Sequence, residues 1–165
     1  VTGKNVGNKP IIHFEDGNKL EIQLMLKGGG SENITQLYSL PNKELKADRN
    51  LVGVEKCVLD AIIKAQGKGC PPYIIGVAIG GIVEEVVGLS KKQLLRTLDD
   101  QNKNTELNIM EKRLVEKINT LGIGPLGLGG NTTALAVKIA STYRHPASYF
   151  VAVSFGCWCM RRGSL

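Results

Sequence analysis

The chain has 165 residues, 42% of them hydrophobic and 22% charged, with a net charge of +6. That length and balance suit one domain, or two small lobes sharing a core, and exclude intrinsic disorder, collagen and coiled coil. The longest apolar run, Tyr73 to Ile79, falls far short of the ~20 residues a membrane-spanning helix needs.

In chain order, Ile11 to Glu15 and Lys19 to Leu26 read as two strands, with the Asp16-Gly17 turn signal joining them as a hairpin. Leu20, Ile22, Leu24 and Leu26 alternate with Glu21, Gln23 and Met25, as in a strand with one buried face. A Gly28-Gly29-Gly30 loop follows, and residues 34 to 49 read as irregular. Val54, Cys57, Val58, Ala61 and Ile62 repeat at helical spacing and predict a helix from Leu51 to Gln66, ended by Gly67 and Gly69. Cys70-Pro71-Pro72 is a stiff turn before a buried strand, Tyr73 to Ile79. Helical sequence follows Gly80-Gly81, and Ser90 with Gln93 has capping-box spacing for a fresh helix start. Residues 99 to 105 form a loop. Leu107 to Leu121 is an amphipathic helix with Met110, Leu114 and Ile118 on one stripe. A second glycine-rich loop spans Gly122 to Gly130, and Ala134 to Ala140 and Ser148 to Phe155 are the last predicted strands. The expected class is α/β, with mixed α+β as the alternative: helices packed on a mixed sheet.

Glycine is the compositional outlier, at 20 residues, or about 12% against a usual ~7%. The loops 28–30 and 122–130 expose N–H groups that suit anionic oxygens, and tight turns between packed elements are the competing reading. Gly76 through Gly81 resembles part of a dinucleotide-binding loop but lacks the G-x-G-x-x-G spacing, and the stretch Gly122 to Thr133 is no P-loop, because no Gly-Lys-Ser/Thr ends it. The positive charges are dispersed and aromatics make up 5%. Small anions are therefore expected as partners, and neither nucleic acid nor membrane.

Four cysteines are too few for a disulfide scaffold. Cys57 lies on an apolar helix stripe and reads as core. Cys70 sits in a rigid turn between glycines and prolines, where a thiolate can be presented to a metal. Cys157-Trp158-Cys159 precedes Arg161-Arg162, whose charge lowers the pKa of a neighbouring thiol. Zinc sites typically use C-x(2–4)-C pairs, and none occurs here, whereas iron–sulfur clusters accept scattered thiolates. Of the two histidines, His13 falls within a predicted strand and reads as structural, and His145 lies in a turn before a strand.

Several motifs occur together: Lys27-Gly28-Gly29-Gly30-Ser31-Glu32-Asn33, Cys70-Pro71-Pro72, Gly76 through Gly81, and Leu89-Ser90-Lys91-Lys92 with Leu95-Arg96. Leu121-Gly122-Ile123-Gly124-Pro125 through Thr132-Thr133, His145-Pro146-Ala147-Ser148 and Cys157-Trp158 complete the order. From residue 1 to about 162 the chain resembles the iron–sulfur (class I) fumarase and L-tartrate dehydratase α-subunit family. The resemblance implies a hydro-lyase acting on a small 2-hydroxy dicarboxylate, with a [4Fe-4S] cluster held by three cysteines. Two would be Cys70 and Cys157. The third would belong to a Cys-x-Asp-Thr-Gly type motif upstream, which this sequence does not contain. Cys159 departs from the family's small residue after the tryptophan and is read as a bystander or a substitute ligand. Gly3-Lys4-Asn5-Val6-Gly7-Asn8 resembles a family segment with an acidic residue that is missing here.

Gly28, Gly29 and Gly30 are the implied substrate-carboxylate contacts, and His145 the implied catalytic and substrate-binding residue, reaching across a dimer interface. The resemblance makes residues 1–165 the C-terminal part of an α subunit or N-terminal catalytic domain. A β subunit or C-terminal domain would carry the general base, the whole would be a homodimer of α/β units in the cytoplasm, and this chain alone would be catalytically incomplete. Two other classes compete with this one: a non-enzymatic anion- or nucleotide-binding module built on the glycine loops, and a structural zinc domain.

Overall fold

The computed structural model describes residues 11–165, so the segment Gly3 to Asn8 lies outside the described residues. In chain order the elements are β1 (Gln23–Leu26), α1 (Gly29–Asn33), β2 (Gln36–Ser39), α2 (Leu51–Ala65), β3 (Tyr73–Ile79), α3 (Val83–Gln93) and α4 (Thr105–Asn119). A 3-10 turn (Pro125–Gly127), β4 (Ala134–Ser141), β5 (Phe150–Gly156) and β6 (Arg161–Ser164) follow. The main sheet has the order β2-β5-β3-β4, and β1 pairs with β6 in a separate two-stranded ribbon. Among the described residues, only β3 and β4 run parallel; the β3–β5 and β2–β5 pairs are antiparallel. The mixed α/β class expected from the sequence is therefore the observed one.

β3 is buried along its whole length, as an unbroken apolar run requires when both sheet faces are covered. Tyr73, Ile75, Val77 and Ile79 point into the large core. They meet Val54, Cys57, Val58, Ala61 and Ile62 of α2 and Leu107, Met110, Leu114 and Ile118 of α4. The opposite face is lined by small side chains, Gly76 and Ala78 of β3 and Ala152 and Ser154 of β5, and α3 lies against it. A Cβ on Gly76 would come 2.1 Å from the Ser90 carbonyl oxygen; the absent side chain is what lets α3 approach so closely. Asn50 caps α2 by accepting from the Gly53 N–H, and Asn104 caps α4 by accepting from the N–H groups of Glu106 and Leu107. The connection from α3 to α4 is held by charge. Buried Glu111 accepts from Arg96, Asn102 and the Ile139 N–H, and buried Lys138 donates to Asp100 and to the Leu98 carbonyl.

Three local expectations are overturned. Residues 11–22 form no strand, and the hairpin across Asp16-Gly17 is not made; β1 instead pairs with β6 at the far end of the chain. A hairpin needs another layer to bury its apolar face, and Ile11, Phe14 and Leu20 remain exposed. His13 is accordingly exposed and lies outside any strand. The region 34–49 is not wholly irregular, because the short β2 docks on the edge of β5. Ser90 starts no new helix. It lies inside α3, where its hydroxyl bonds to the Val87 carbonyl and to Ser154 Oγ at 2.7 Å. A buried serine with two partners inside the helix has no need of a cap.

Candidate functional site

Cys70 immediately precedes the Pro71-Pro72 entry to β3, and Cys157 immediately follows β5. These central strands are antiparallel neighbours, with Ile74 opposite Gly156, so the start of one and the end of the other lie at the same end of the sheet. The Trp158 N–H donates to the Cys70 carbonyl at 3.4 Å, tying the two segments together. Cys70 is exposed and holds a left-handed backbone, φ 59°, which an L-residue adopts only under constraint from its surroundings. The constraints are visible. Tyr73 Oη accepts from the Gly69 N–H and donates to the Gln66 carbonyl, while its ring packs edge-on against Phe155 at 5.2 Å.

The loop 122–130 backs the same turn. The Leu126 N–H donates to the Pro71 carbonyl, and a Cβ on Gly127 would lie 2.6 Å from the Gly67 Cα. The N–H groups of Gly124, Gly127, Leu128 and Gly129 all donate within the loop or to Thr133. Of the two readings for this glycine-rich stretch, the structure favours tight packing: these donors have protein acceptors, and the loop buttresses the Cys70 turn.

The other glycine loop lies over the cysteines. A Cβ on Gly28 would sit 3.8 Å from Cys157 Sγ, and one on Gly30 would sit 3.3 Å from the Lys68 carbonyl oxygen. Gly29 and Gly30 open α1, where first-turn N–H groups have no partner within the helix. Beside them Glu32 bridges Lys27, at 2.8 Å, and Lys91. Two cations share one carboxylate here, which leaves one surplus positive charge next to the thiols. Burial pulls Lys27 below the usual lysine range, even though Glu32 and a thiolate at Cys157 both favour its charged form. For Glu32, burial acts to raise the pKa, and the hydrogen bonds from Lys27 and Lys91 outweigh it, leaving the carboxyl below its ordinary value. Sequence reading did not single out these lysines as site residues. Lys27 and Lys91 are 64 positions apart (91 − 27), and only the packing of α3 against the sheet brings them together.

Cys159 lies with its Sγ 3.3 Å from Cys157 Sγ. Its thiol is pushed above the usual range, first by the hydrogen bond with Cys157 and then by desolvation; Arg161 acts the other way and does not prevail. The expected arginine-lowered thiol is therefore not found at Cys159. Arg161 donates to the Cys159 carbonyl and Arg162 to the Leu94 carbonyl. Cys57 is fully buried in the core, as expected, and burial pushes its thiol up to about 12.

His145 is elsewhere. It precedes β5, whereas Cys157 follows it, and a seven-residue strand spans about 20 Å. No bend folds them together. The expected strand does not close the sheet region, since β6 follows it. His145 is exposed, and its Nδ1 accepts from the Ala147 N–H at 3.1 Å. Its loop is clamped by Arg49, which donates to the carbonyls of Pro146 and Ala147, and by Arg144, which donates to those of His145, Pro146 and Ser148. The cavity of about 580 Å³ lined by Asn50, Ile79, Glu106, Ser141 and Tyr149 contains neither the cysteines nor His145.

For metal binding, the thiol donors fit iron in kind: soft sulfurs at element ends, with a glycine leaving room beside one of them. In number, Cys70 and Cys157 would be two of the three cysteines that the resemblance implies. Among the described residues no three His, Cys, Asp or Glu side chains converge as a complete metal-holding group.

A family model described as fumarate hydratase (fumerase) matches residues 1–165. A candidate class I fumarate hydratase of Geobacillus stearothermophilus is 44% identical over 98% of this chain and 34% of that protein. A candidate L(+)-tartrate dehydratase subunit alpha of Methanocaldococcus jannaschii is 41% identical, over 96% of this chain and 55% of that protein. The L(+)-tartrate dehydratase subunit alpha of Escherichia coli (strain K12) is 39% identical, over 99% and 54% respectively. The chain thus spans between about a third and about half of the length of these relatives.

Proposed function

The chain belongs to the fumarate hydratase (fumerase) family, and from that premise we propose that it forms the cluster-bearing part of an iron–sulfur hydro-lyase. The reaction is reversible loss of water from a small 2-hydroxy dicarboxylate, of the fumarate/malate or tartrate type that the relatives' names denote. The observation that carries the reading is the meeting of Cys70 and Cys157 at one end of the central strands, beside Gly28.

Cys70 and Cys157 would hold a [4Fe-4S] cluster with a third thiolate from another part of the whole protein. Such a cluster, when bound, supplies an iron that lacks a protein ligand and acts as a Lewis acid on a hydroxyl and carboxylate. This chain's own residues supply the rest of the binding. The first-turn N–H groups of Gly29 and Gly30, with Gly28 leaving the approach open, receive a carboxylate, and Lys27 and Lys91 add positive charge beside it. Cys159, with its Sγ 3.3 Å from Cys157 Sγ, would be a bystander or a substitute ligand.

His145 would bind substrate by donating a hydrogen bond from its imidazole. Because it lies at the opposite end of β5 from Cys157, it would serve the site of a second copy in a homodimer. A β subunit or C-terminal domain would provide the general base, so this chain alone would be inactive. The four cysteines are free, in keeping with a reducing cytoplasmic setting, and no helix among the described residues is long and apolar enough to cross a membrane.

The test is metal content in the complete enzyme, prepared without oxygen. Cys70→Ser and Cys157→Ser should each lose bound iron and its visible absorbance, while Cys57→Ser should keep both. Equal iron in all three variants would refute the assignment.

A further inference from the structure

We propose that Cys157 and Cys159 form a thiol–disulfide exchange site that takes a low-molecular-weight disulfide such as oxidised glutathione and closes to an intramolecular disulfide. The backbone sets up the pair. The Met160 N–H donates to the Cys157 carbonyl at 3.1 Å, which closes a turn with Cys157 first and Cys159 third. A turn of this kind keeps its first and fourth Cα atoms within about 7 Å, and a disulfide spans Cα atoms about 4.4–6.8 Å apart. The Met160 side chain lies over Gly156, where a Cβ would come 2.7 Å from its Sδ. The two sulfurs are already 3.3 Å apart, so bond formation needs only side-chain rotation and a small local closure.

Exposure assigns the order of attack. Cys159 is exposed and Cys157 buried. The Cys159 thiolate attacks one sulfur of the oxidant, forming a mixed disulfide and releasing one glutathione thiolate. The Cys157 thiolate then attacks Cys159 Sγ, forming the Cys157–Cys159 bond and releasing the second. Two protein thiols are oxidised, one oxidant disulfide is reduced to two thiols, and the two protons pass from the protein thiols to the glutathione thiolates. The consequence for metal rests on the function proposed above: a disulfide removes Cys157 from the ligand set, so oxidation and cluster binding would exclude one another.

The experiment uses the full-length protein, made iron-free under anaerobic conditions and equilibrated in glutathione redox buffers, then acid-quenched, alkylated and read by peptide mass. The expected product is a Cys157–Cys159 peptide lighter by two hydrogen atoms, restored by dithiothreitol. Cys159→Ser should abolish that loss, and Cys157→Ser should retain one glutathionyl group on Cys159. A stable glutathione adduct on Cys159 of the unaltered protein, or a bridge that includes Cys70, would overturn the proposal. If Cys157→Ser fails to fold, the unaltered protein by itself decides between bridge and adduct. Iron uptake by the oxidised and reduced forms is measured separately. Equal uptake by a confirmed disulfide form leaves the exchange site standing and removes Cys157 from the cluster assignment.

Discussion

Gly127→Ala tests whether the second glycine loop holds the Cys70 turn in place. Gly127 has φ 78°, and a Cβ there would lie 2.6 Å from Gly67 Cα and 3.0 Å from Gly67 N, both backbone atoms that cannot rotate away. A left-handed backbone costs a non-glycine residue roughly 1–2 kcal/mol. Overpacking against a fixed neighbour adds roughly 1–3 kcal/mol. A loss of about 3 kcal/mol is the central expectation. With an unfolding entropy near ~2.1 cal/mol/K per residue, that lowers Tm by roughly 9 °C for a chain of this size. Gly129→Ala is the control: its φ is 92° but nothing lies within 4 Å of its Cβ position, so only the backbone term of about 1–2 kcal/mol applies. The assays are urea unfolding and the alkylation rate of Cys70, which should rise in Gly127→Ala as its turn loses support and stay unchanged in Gly129→Ala. Equal stabilities for the two variants, or unchanged Cys70 reactivity in Gly127→Ala, would refute the buttress.

Two further outcomes are expected. Burial acts to raise the Asp100 pKa, but hydrogen bonds from Arg96 and Lys138 outweigh it and hold the carboxyl below its ordinary value of 3.8. A depressed folded pKa contributes stability that is fully present above the unfolded value and lost as pH falls through the folded one. The Tm difference between the protein and Asp100→Asn should therefore hold constant from neutral pH to above about 4 and shrink below it; a difference independent of pH down to about 2 would show that the pairing is not electrostatic. In the complete enzyme, His145→Asn should leave iron unchanged and lower kcat/KM by at least ~10², about 2.7 kcal/mol of transition-state stabilisation. Iron lost together with activity would assign His145 a structural or ligand role, and unaltered activity would leave it merely exposed.

The elements legible in the sequence were those whose pattern reports their own burial. The Tyr73–Ile79 strand, the Leu51–Ala65 helix and the Thr105–Asn119 helix each carry an unbroken apolar run or a stripe at helical spacing, and each lies where its pattern put it. Gln36–Ser39 carries no such pattern: it is four residues long, includes polar Gln36 and Ser39, and is a strand because β5 offers it an edge. The Lys19–Leu26 alternation yields a strand only over Gln23–Leu26, its expected buried face of Leu20, Ile22, Leu24 and Leu26 is exposed, and its partner lies at Arg161–Ser164 and not across the nearby turn. Ser90 has the spacing of a cap, and its actual partner is Ser154 on a strand that comes 64 residues later.

The site divides along the same line. Cys70 before a proline-stiffened strand and Cys157 after a glycine-ended one could be picked out as candidates from local chemistry, because a turn and a strand end are encoded by their own residues. Their sharing one end of the sheet depends on β3 and β5 pairing antiparallel with Ile74 opposite Gly156, a register set by side chains distant in sequence. Local sequence determined the buried strand Tyr73–Ile79, the helices Leu51–Ala65 and Thr105–Asn119, and the thiols. The tertiary structure alone decided that Lys27 and Lys91 share Glu32 beside those thiols, that the second glycine loop supports the Cys70 turn, and that His145 stands at the opposite end of β5 from Cys157. Periodicity along a chain records which face is buried, while the identity of the element that buries it is settled by packing between segments far apart.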